Sequence, residues 1–436
     1  MDAKPTSAWP NAPFSPSTLP RNPKLLIVYA SYGEGHLQAA RAIEEALERQ
    51  GIAGSSIKLV DLLAESNPFI NQISRRFYQN SYTHMPALYG WVYDRTRPMK
   101  HNSLLGGWLH SFGRDKLRRI LAAEQPDAIV YTFPMFAAPA NRRGYPVRVP
   151  TSAIVTDFDL HRRWAHPCVD RYYVATEELK QELISLGIAE QRIMASGIPI
   201  KQGFAENGTP GHFERKHDFE RKHEFTQDRP ALYRRYNIPS NRPIVLLMAG
   251  AHGVMPDIPA LCDALLQEPN LTLVLVCGRN AQLAESMRSQ YQEASISNDL
   301  MPKHALNLSG AKSRIHIFDY VDTIHELMQL ADCLITKPGG ITLAEGLAAG
   351  LPLLLYRPVP GQEKNNALYL QAKGAATIAN TPAELRRAAA ALLSNPQALL
   401  QSRAASHALG QPNAANRIAL DILFHCPIME EASSIL

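Results

Sequence analysis

Two doubly wound α/β domains, each built on a parallel sheet, are what this sequence predicts. Three observations carry that reading. Short apolar runs alternate with helical stretches in two separate series, a polar and charged segment divides the series, and glycine and polar residues gather at the carboxyl ends of the runs. Runs that are apolar throughout belong to parallel strands covered on both faces. A chain of 436 residues is also too long for one ordinary core.

The first series comprises residues 24–30, 57–62, 127–133, 151–157 and 171–176, and the second 243–250, 271–278, 314–320, 332–337 and 351–358. The organisation that follows is a proline-rich leader over 1–22, a first domain over 23–200, a linker over 201–242, a second domain over 243–400 and a helical tail over 401–436. The leader lacks the apolar core of a signal peptide and reads as disordered. The linker holds a tandem duplication, FERKHD followed by FERKHE. Its solvated composition assigns no chemistry to His212, His217 or His223.

Hydrophobic residues make up 45% and charged residues 19%, as in a soluble globular protein, and the net charge of +5 does not mark a nucleic-acid binder. The five cysteines are odd in number and scattered, so buried thiols are expected, with neither disulfides nor metal ligands. No apolar run approaches the ~20 residues of a membrane span. Residues 69–119 are different: nine lysines and arginines stand against Asp94 and Asp115, with nine aromatics interleaved, including Trp91 and Trp108. That mixture suits an anionic membrane surface.

In an open parallel sheet, ligands bind beyond the carboxyl ends of the strands. The segment SYGEGH (31–36) lies at the first such end, where Gly33 and Gly35 permit close backbone approach. The following stretch is helical, so His36 falls at a helix N-terminus, whose dipole favours a neutral imidazole able to act as a base. Without a third glycine, dinucleotide binding is disfavoured.

The second domain carries the more specific stretch, residues 334–367. Pro338-Gly339-Gly340 opens a helix whose free first-turn amides would hold a phosphate, with Lys337 as a counter-charge. Thr342 lies in the same helix, and Glu345 sits about one and a half turns in, placed to accept hydrogen bonds from a ribose diol. A polar loop from Gly361 to Asn366 could face a sugar's hydroxyls. Gly250 and His252 in MAGAHG, Gly278 and Arg279 in VCGRN, and Tyr320-Val321 suggest one cleft lined by successive strand ends. Asp157-x-Asp159 could hold a divalent ion, but the phosphate site lies in the other domain, so Asp157 reads as structural or substrate-orienting. His161 and His166 receive no role.

These segments, with TDFDLHRRWAHPCVDRYYVATEE (156–178) and TKPGGITLAEGLAAGLPLLLYRPVPGQEKNNA (336–367), resemble the processive diacylglycerol glucosyltransferases and the related monogalactosyldiacylglycerol synthases. The resemblance covers about residues 24–400. It implies a GT-B fold, two Rossmann-like domains facing across a cleft. It implies an inverting transfer of glucose or galactose from a UDP-sugar to the hydroxyl of 1,2-diacylglycerol, without a metal or other cofactor. It implies that His36 is the base, that Gly339, Gly340 and Glu345 bind the nucleotide, and that Gln362, Glu363 and Asn366 read the sugar. Gly33, Gly35, Asp157 and Trp164 fall on the acceptor side. Residues 69–119 become the part that meets anionic membrane lipids, on a protein peripheral to the cytoplasmic face of the cell membrane. GEGH departs from the plain triple glycine of plant-type members. A UDP-sugar epimerase, another UDP-N-acetylglucosamine-using enzyme of this fold and a UDP-sugar sensor are the alternatives.

Overall fold

The computed structural model describes residues 22–31, 34–66, 86–97, 113–134, 149–166, 169–206, 229–293 and 314–425. The chain forms two units. One comprises Met1–Gln202, Pro360–Gln362 and Asn413–Leu436, and the other Gly203–Val359 and Glu363–Pro412.

The first unit is built on β1 (Leu25–Tyr29), β2 (Ile57–Asp61), β3 (Ala128–Tyr131), β4 (Thr151–Ile154), β5 (Arg171–Val174) and β6 (Ile193–Ala195). They pair in the order β2-β1-β3-β4-β5-β6, parallel throughout, with Ile27 opposite both Leu59 and Val130. Leu25 to Val28 are all buried, as expected of a strand covered on both faces. Helix Glu34–Arg49 lays Ile43 and Leu47 into the core formed by Leu25, Ile27, Val130 and Ile154.

The second unit repeats the plan with β7 (Ile244–Met248), β8 (Thr272–Val276), β9 (Ile315–Phe318), β10 (Cys333–Thr336), β11 (Leu353–Tyr356) and β12 (Ala376–Ala379). Their order is β12-β11-β10-β7-β8-β9, again all parallel. Cys262, Cys277 and Cys333 are free and buried in its core, as the apolar runs around them imply; Cys168 and Cys426 lie outside the described residues.

In each sheet the direction of strand addition reverses once. The first unit switches between β1 and β3, the second between β7 and β10. At such a point neighbouring connections leave in opposite directions and open a crevice beyond the strand ends. Of the segments predicted to carry the chemistry, residues 34–36 after β1 and 337–340 after β10 lie at these two points.

Two differences from the sequence reading concern the divisions of the chain. Helix Gly203–Glu206 and residues 229–242, which the sequence places in a linker, belong to the second unit. The predicted tail also divides. Pro396–Leu409 packs with the second unit, whereas helix Ala414–His425 lies on helix Glu34–Arg49 of the first. Ile418 and Ile422 enter the first core, and Asp421 takes two hydrogen bonds from Arg171, at 2.7 and 2.8 Å, and a third from the Tyr173 hydroxyl at 2.8 Å. Among the described residues no helix is long and apolar enough to cross a membrane.

Candidate functional site

At the switch point of the first unit, His36 occupies the third position of helix Glu34–Arg49. Its Nδ1 lies 2.6 Å from the carbonyl oxygen of Thr132, just past β3. A carbonyl only accepts, so Nδ1 carries the proton and Nε2 keeps the lone pair. The Thr132 hydroxyl donates back to the His36 carbonyl at 2.9 Å, and the Thr156 hydroxyl lies 3.2 Å from Nδ1. Phe133 meets the imidazole edge-on, with ring centroids 4.9 Å apart. Burial lowers the pKa of His36 to about 4, against the opposing effect of the Thr132 hydrogen bond. The imidazole is therefore neutral at neutral pH, as the helix-dipole argument expected, but burial is the principal cause. Gly35 sits in the first turn of the helix without a left-handed backbone; Gly33 lies outside the described residues.

At the switch point of the second unit, Lys337, Pro338 and Gly339 lead from β10 into helix Gly340–Ala348. Gly339 is the N-cap and supplies no side chain to the first-turn amides, and a Cβ built on it would meet nothing within 4 Å. Those amides therefore have no side-chain cap, and the space beside Gly339 is open. From β7, Gly250 takes a φ of +81°, and the Lys337 side chain passes its Cα, with Cε 4.0 Å from where a Cβ would stand. Burial lowers the Lys337 pKa, and Glu363 opposes that shift. Glu345 is buried on the same helix as the Gly340 amide.

The neighbouring glycines serve backbone packing. Gly278, at φ +63°, has no room for a Cβ against the carbonyls of Gly250 and Ala251, and the Gly253 amide donates to the Gly250 carbonyl at 2.9 Å. The turn thus fixed aims the Arg279 amide at the Ala251 carbonyl, 2.9 Å away, and lays the guanidinium over the Tyr320 ring at 4.7 Å. His252 falls within this turn, Thr342 on the partly exposed side of the Gly340 helix, and Val321 just beyond β9.

The monogalactosyldiacylglycerol (MGDG) synthase family profile matches residues 36–200, and the glycosyltransferase family 28 C-terminal domain profile matches 259–418. A processive diacylglycerol beta-glucosyltransferase of Bacillus cytotoxicus is 35% identical over 403 residues, covering 92% of this chain and 94% of the relative. The chain belongs to the processive diacylglycerol β-glucosyltransferase family. A member from Bacillus cereus strain B4264 is 34% identical over the same shares. Among solved structures, a UDP-GlcNAc 2-epimerase from Neisseria meningitidis bound to UDP-GlcNAc superposes with a TM-score of 0.54 at 15% identity, covering 92% of this chain and 99% of its own. MurG from Acinetobacter baumannii gives 0.53 at 16%, also 92% and 99%. At such identities they bear on the fold alone, which is GT-B.

Within this diacylglycerol β-glucosyltransferase family member, some predicted residues stand differently from expectation. The polar loop 361–366 is helical from its second residue, because Gln362 opens helix Gln362–Ala372. Asn366 is fully buried and donates from Nδ2 to the Pro338 carbonyl at 3.1 Å, so it holds the turn before Gly339. Glu363 accepts from the Val359 amide at 3.3 Å. Trp164 is 3% exposed, a packing residue of the turn Arg162–Trp164. Asp159 accepts from the Tyr93 hydroxyl at 2.8 Å and from Arg97 at 2.7 Å, which commits the second acid of the pair. His161 caps the Arg162–Trp164 turn through Nδ1, and the buried His166 exchanges backbone hydrogen bonds with the Tyr172 hydroxyl.

Sequence reasoning missed Thr132, Phe133 and Thr156, the residues that hold His36. The signal was available: each follows a strand of its sheet at the carboxyl end, where the ladder has stopped. Of the basic, aromatic segment 69–119, the structure describes 86–97 and 113–119. Helix Pro86–Thr96 exposes Trp91 at 64% and Val92 at 45%, whereas helix Arg114–Glu124 buries Leu117, Ile120 and Leu121.

Proposed function

We propose that this chain moves a hexose from a UDP-hexose to the free hydroxyl of 1,2-diacylglycerol, with inversion at the sugar's C1. The full-length similarity to diacylglycerol β-glucosyltransferases supports these substrates and makes glucose the first donor to test. The observation that carries the chemistry is the pinned imidazole of His36, whose Nδ1–H is committed to Thr132 and whose Nε2 is left to accept a proton. In this reading Nε2 takes the hydroxyl proton as the lipid oxygen attacks C1, and the C1–O bond to UDP breaks with both electrons going to the diphosphate. The amides at the start of helix Gly340–Ala348, together with Lys337, stabilise that developing charge without a metal ion. Glu345 holds the ribose, and Arg279, Tyr320 and Val321 border the base.

The lipid end of the reaction calls for a protein that meets a bilayer. Trp91 and Val92 on helix Pro86–Thr96, within the basic segment 69–119, are the described residues best suited to enter an anionic interface. The placement that follows is peripheral, on the cytoplasmic face of the cell membrane. The epimerase alternative loses ground because its likeness is one of fold, at 15% identity.

The test is transfer of radiolabel from UDP-glucose or UDP-galactose to dioleoylglycerol vesicles, read by thin-layer chromatography, with wild type beside His36→Ala. Label in the lipid phase that disappears in the variant supports the reading. No lipid product from either donor contradicts it.

A further inference from the structure

We propose that Asp157 is a positioning residue for the donor hexose: it locks the side-chain amide of Gln362 so that only the amide's carbonyl end is presented. This rests on the proposed hexose transfer and on the family resemblance, which implies that Gln362 reads the sugar. Both residues belong to the first unit, into which the short segment Pro360–Gln362 clusters.

Asp157 stands three residues beyond the end of β4 and is 9% exposed. The Nε2 of Gln362 lies 3.3 Å from its Oδ1. A carboxylate only accepts, so the amide must turn its NH2 towards Asp157, and Oε1 becomes the end left for a ligand. The second acid of the motif cannot take over this task, because Tyr93 and Arg97 occupy Asp159.

The backbone of the segment is held as firmly as the side chain. Gly361 has a φ of +103°, and a Cβ there would come within 3.0 Å of the Tyr93 ring. Gly90 leaves no room for a Cβ against the Pro360 ring. Tyr93 and Gly90 lie on helix Pro86–Thr96, so one helix wall fixes the corner from which Gln362 starts.

A glutamine free to flip offers either a donor or an acceptor and fits a hydroxyl in several directions. A locked one offers an acceptor in one direction. Epimeric hexoses differ in the direction of a single hydroxyl, so locking the amide turns a general contact into a discriminating one.

The experiment measures kcat/KM for UDP-glucose and UDP-galactose on dioleoylglycerol vesicles, with inhibition by UDP, in wild type, Gln362→Ala, Asp157→Ala and Asp157→Asn. The expected result is that Gln362→Ala and Asp157→Ala each move the donor ratio about fivefold to tenfold towards unity, the scale of one hydrogen bond. UDP inhibition should stay within about twofold on the same scale, because UDP lacks the hexose. Asp157→Asn, which keeps an acceptor oxygen, should recover part of the ratio. If Gln362→Ala shifts the ratio and Asp157→Ala does not, the role of Asp157 is overturned while that of Gln362 stands. If Gln362→Ala leaves the ratio unchanged, the sugar-reading role itself falls. If Asp157→Ala lowers both donors equally and weakens UDP inhibition with them, Asp157 is merely structural and the proposal is overturned.

Discussion

The two units solve different problems at the same topological position. At the β1/β3 switch point a histidine is partly buried and held neutral by that burial, with its tautomer set by a backbone carbonyl. At the β7/β10 switch point a helix begins without a capping side chain, and a lysine desolvated by burial lies alongside. The first arrangement suits removing a proton, and the second suits holding an anion. One fold plan supplies both because the crevice beyond the strand ends is generic, and the residues placed there decide its chemistry.

The contrast is broken most severely at His36. His36→Gln should lower transfer by about 10²–10⁴-fold, the usual worth of a positioned general base, with UDP affinity unchanged; initial rates beside calorimetric titration of UDP check this. Lys337→Ala should act on the other half. An expected loss of about tenfold to a hundredfold in UDP affinity follows from removing a charged hydrogen-bond partner, and the same titration reads it.

The C-terminal helix offers a control whose ion pair involves none of the residues at either switch point. Asp421→Ala removes the partner of Arg171 and Tyr173, whose ion pair is largely buried with 18% and 13% of the two side chains exposed. A cost of roughly 2–3 kcal/mol is expected, somewhat below that of a fully buried pair, and denaturant unfolding measures it.

The smallest effect is one of pH. His36 titrates at about 4 in the folded chain and near 6.5 when exposed. Between those values the unfolded chain binds a proton that the folded one does not, so stability falls as pH drops through this window. His161, lowered to about 3 by burial and by Arg163 and Arg97, contributes with the same sign. Melting temperatures between pH 7 and 4 should therefore decline less in His36→Gln than in wild type, though a decline should persist.

Much of this was legible in the sequence because parallel strands buried on both faces are unmistakably apolar. All five runs of each series became strands. The sixth strand of each sheet was not legible: Ile193–Ala195 and Ala376–Ala379 lie at the sheet edges and are only partly buried, so neither reads as a continuous apolar run, and their pairing is decided by neighbours. The placement of Gly339, Gly340 and His36 beyond strand ends was legible because a core has no use for them there. The hold of Asn366 on the Pro338 carbonyl, 28 positions away, was not legible. Likewise the hold of Thr132 and Thr156 on His36 spans 96 and 120 positions, and local patterning carries no trace of such contacts.

The central claim is that His36 is a neutral base with its proton on Nδ1. Imidazole nitrogen-15 resonances followed from pH 8 to pH 3.5 test it most directly. The account predicts a protonated Nδ1 and a lone-pair Nε2 at neutral pH, with a midpoint near 4. A midpoint near 6.5, or a proton found on Nε2, would contradict it.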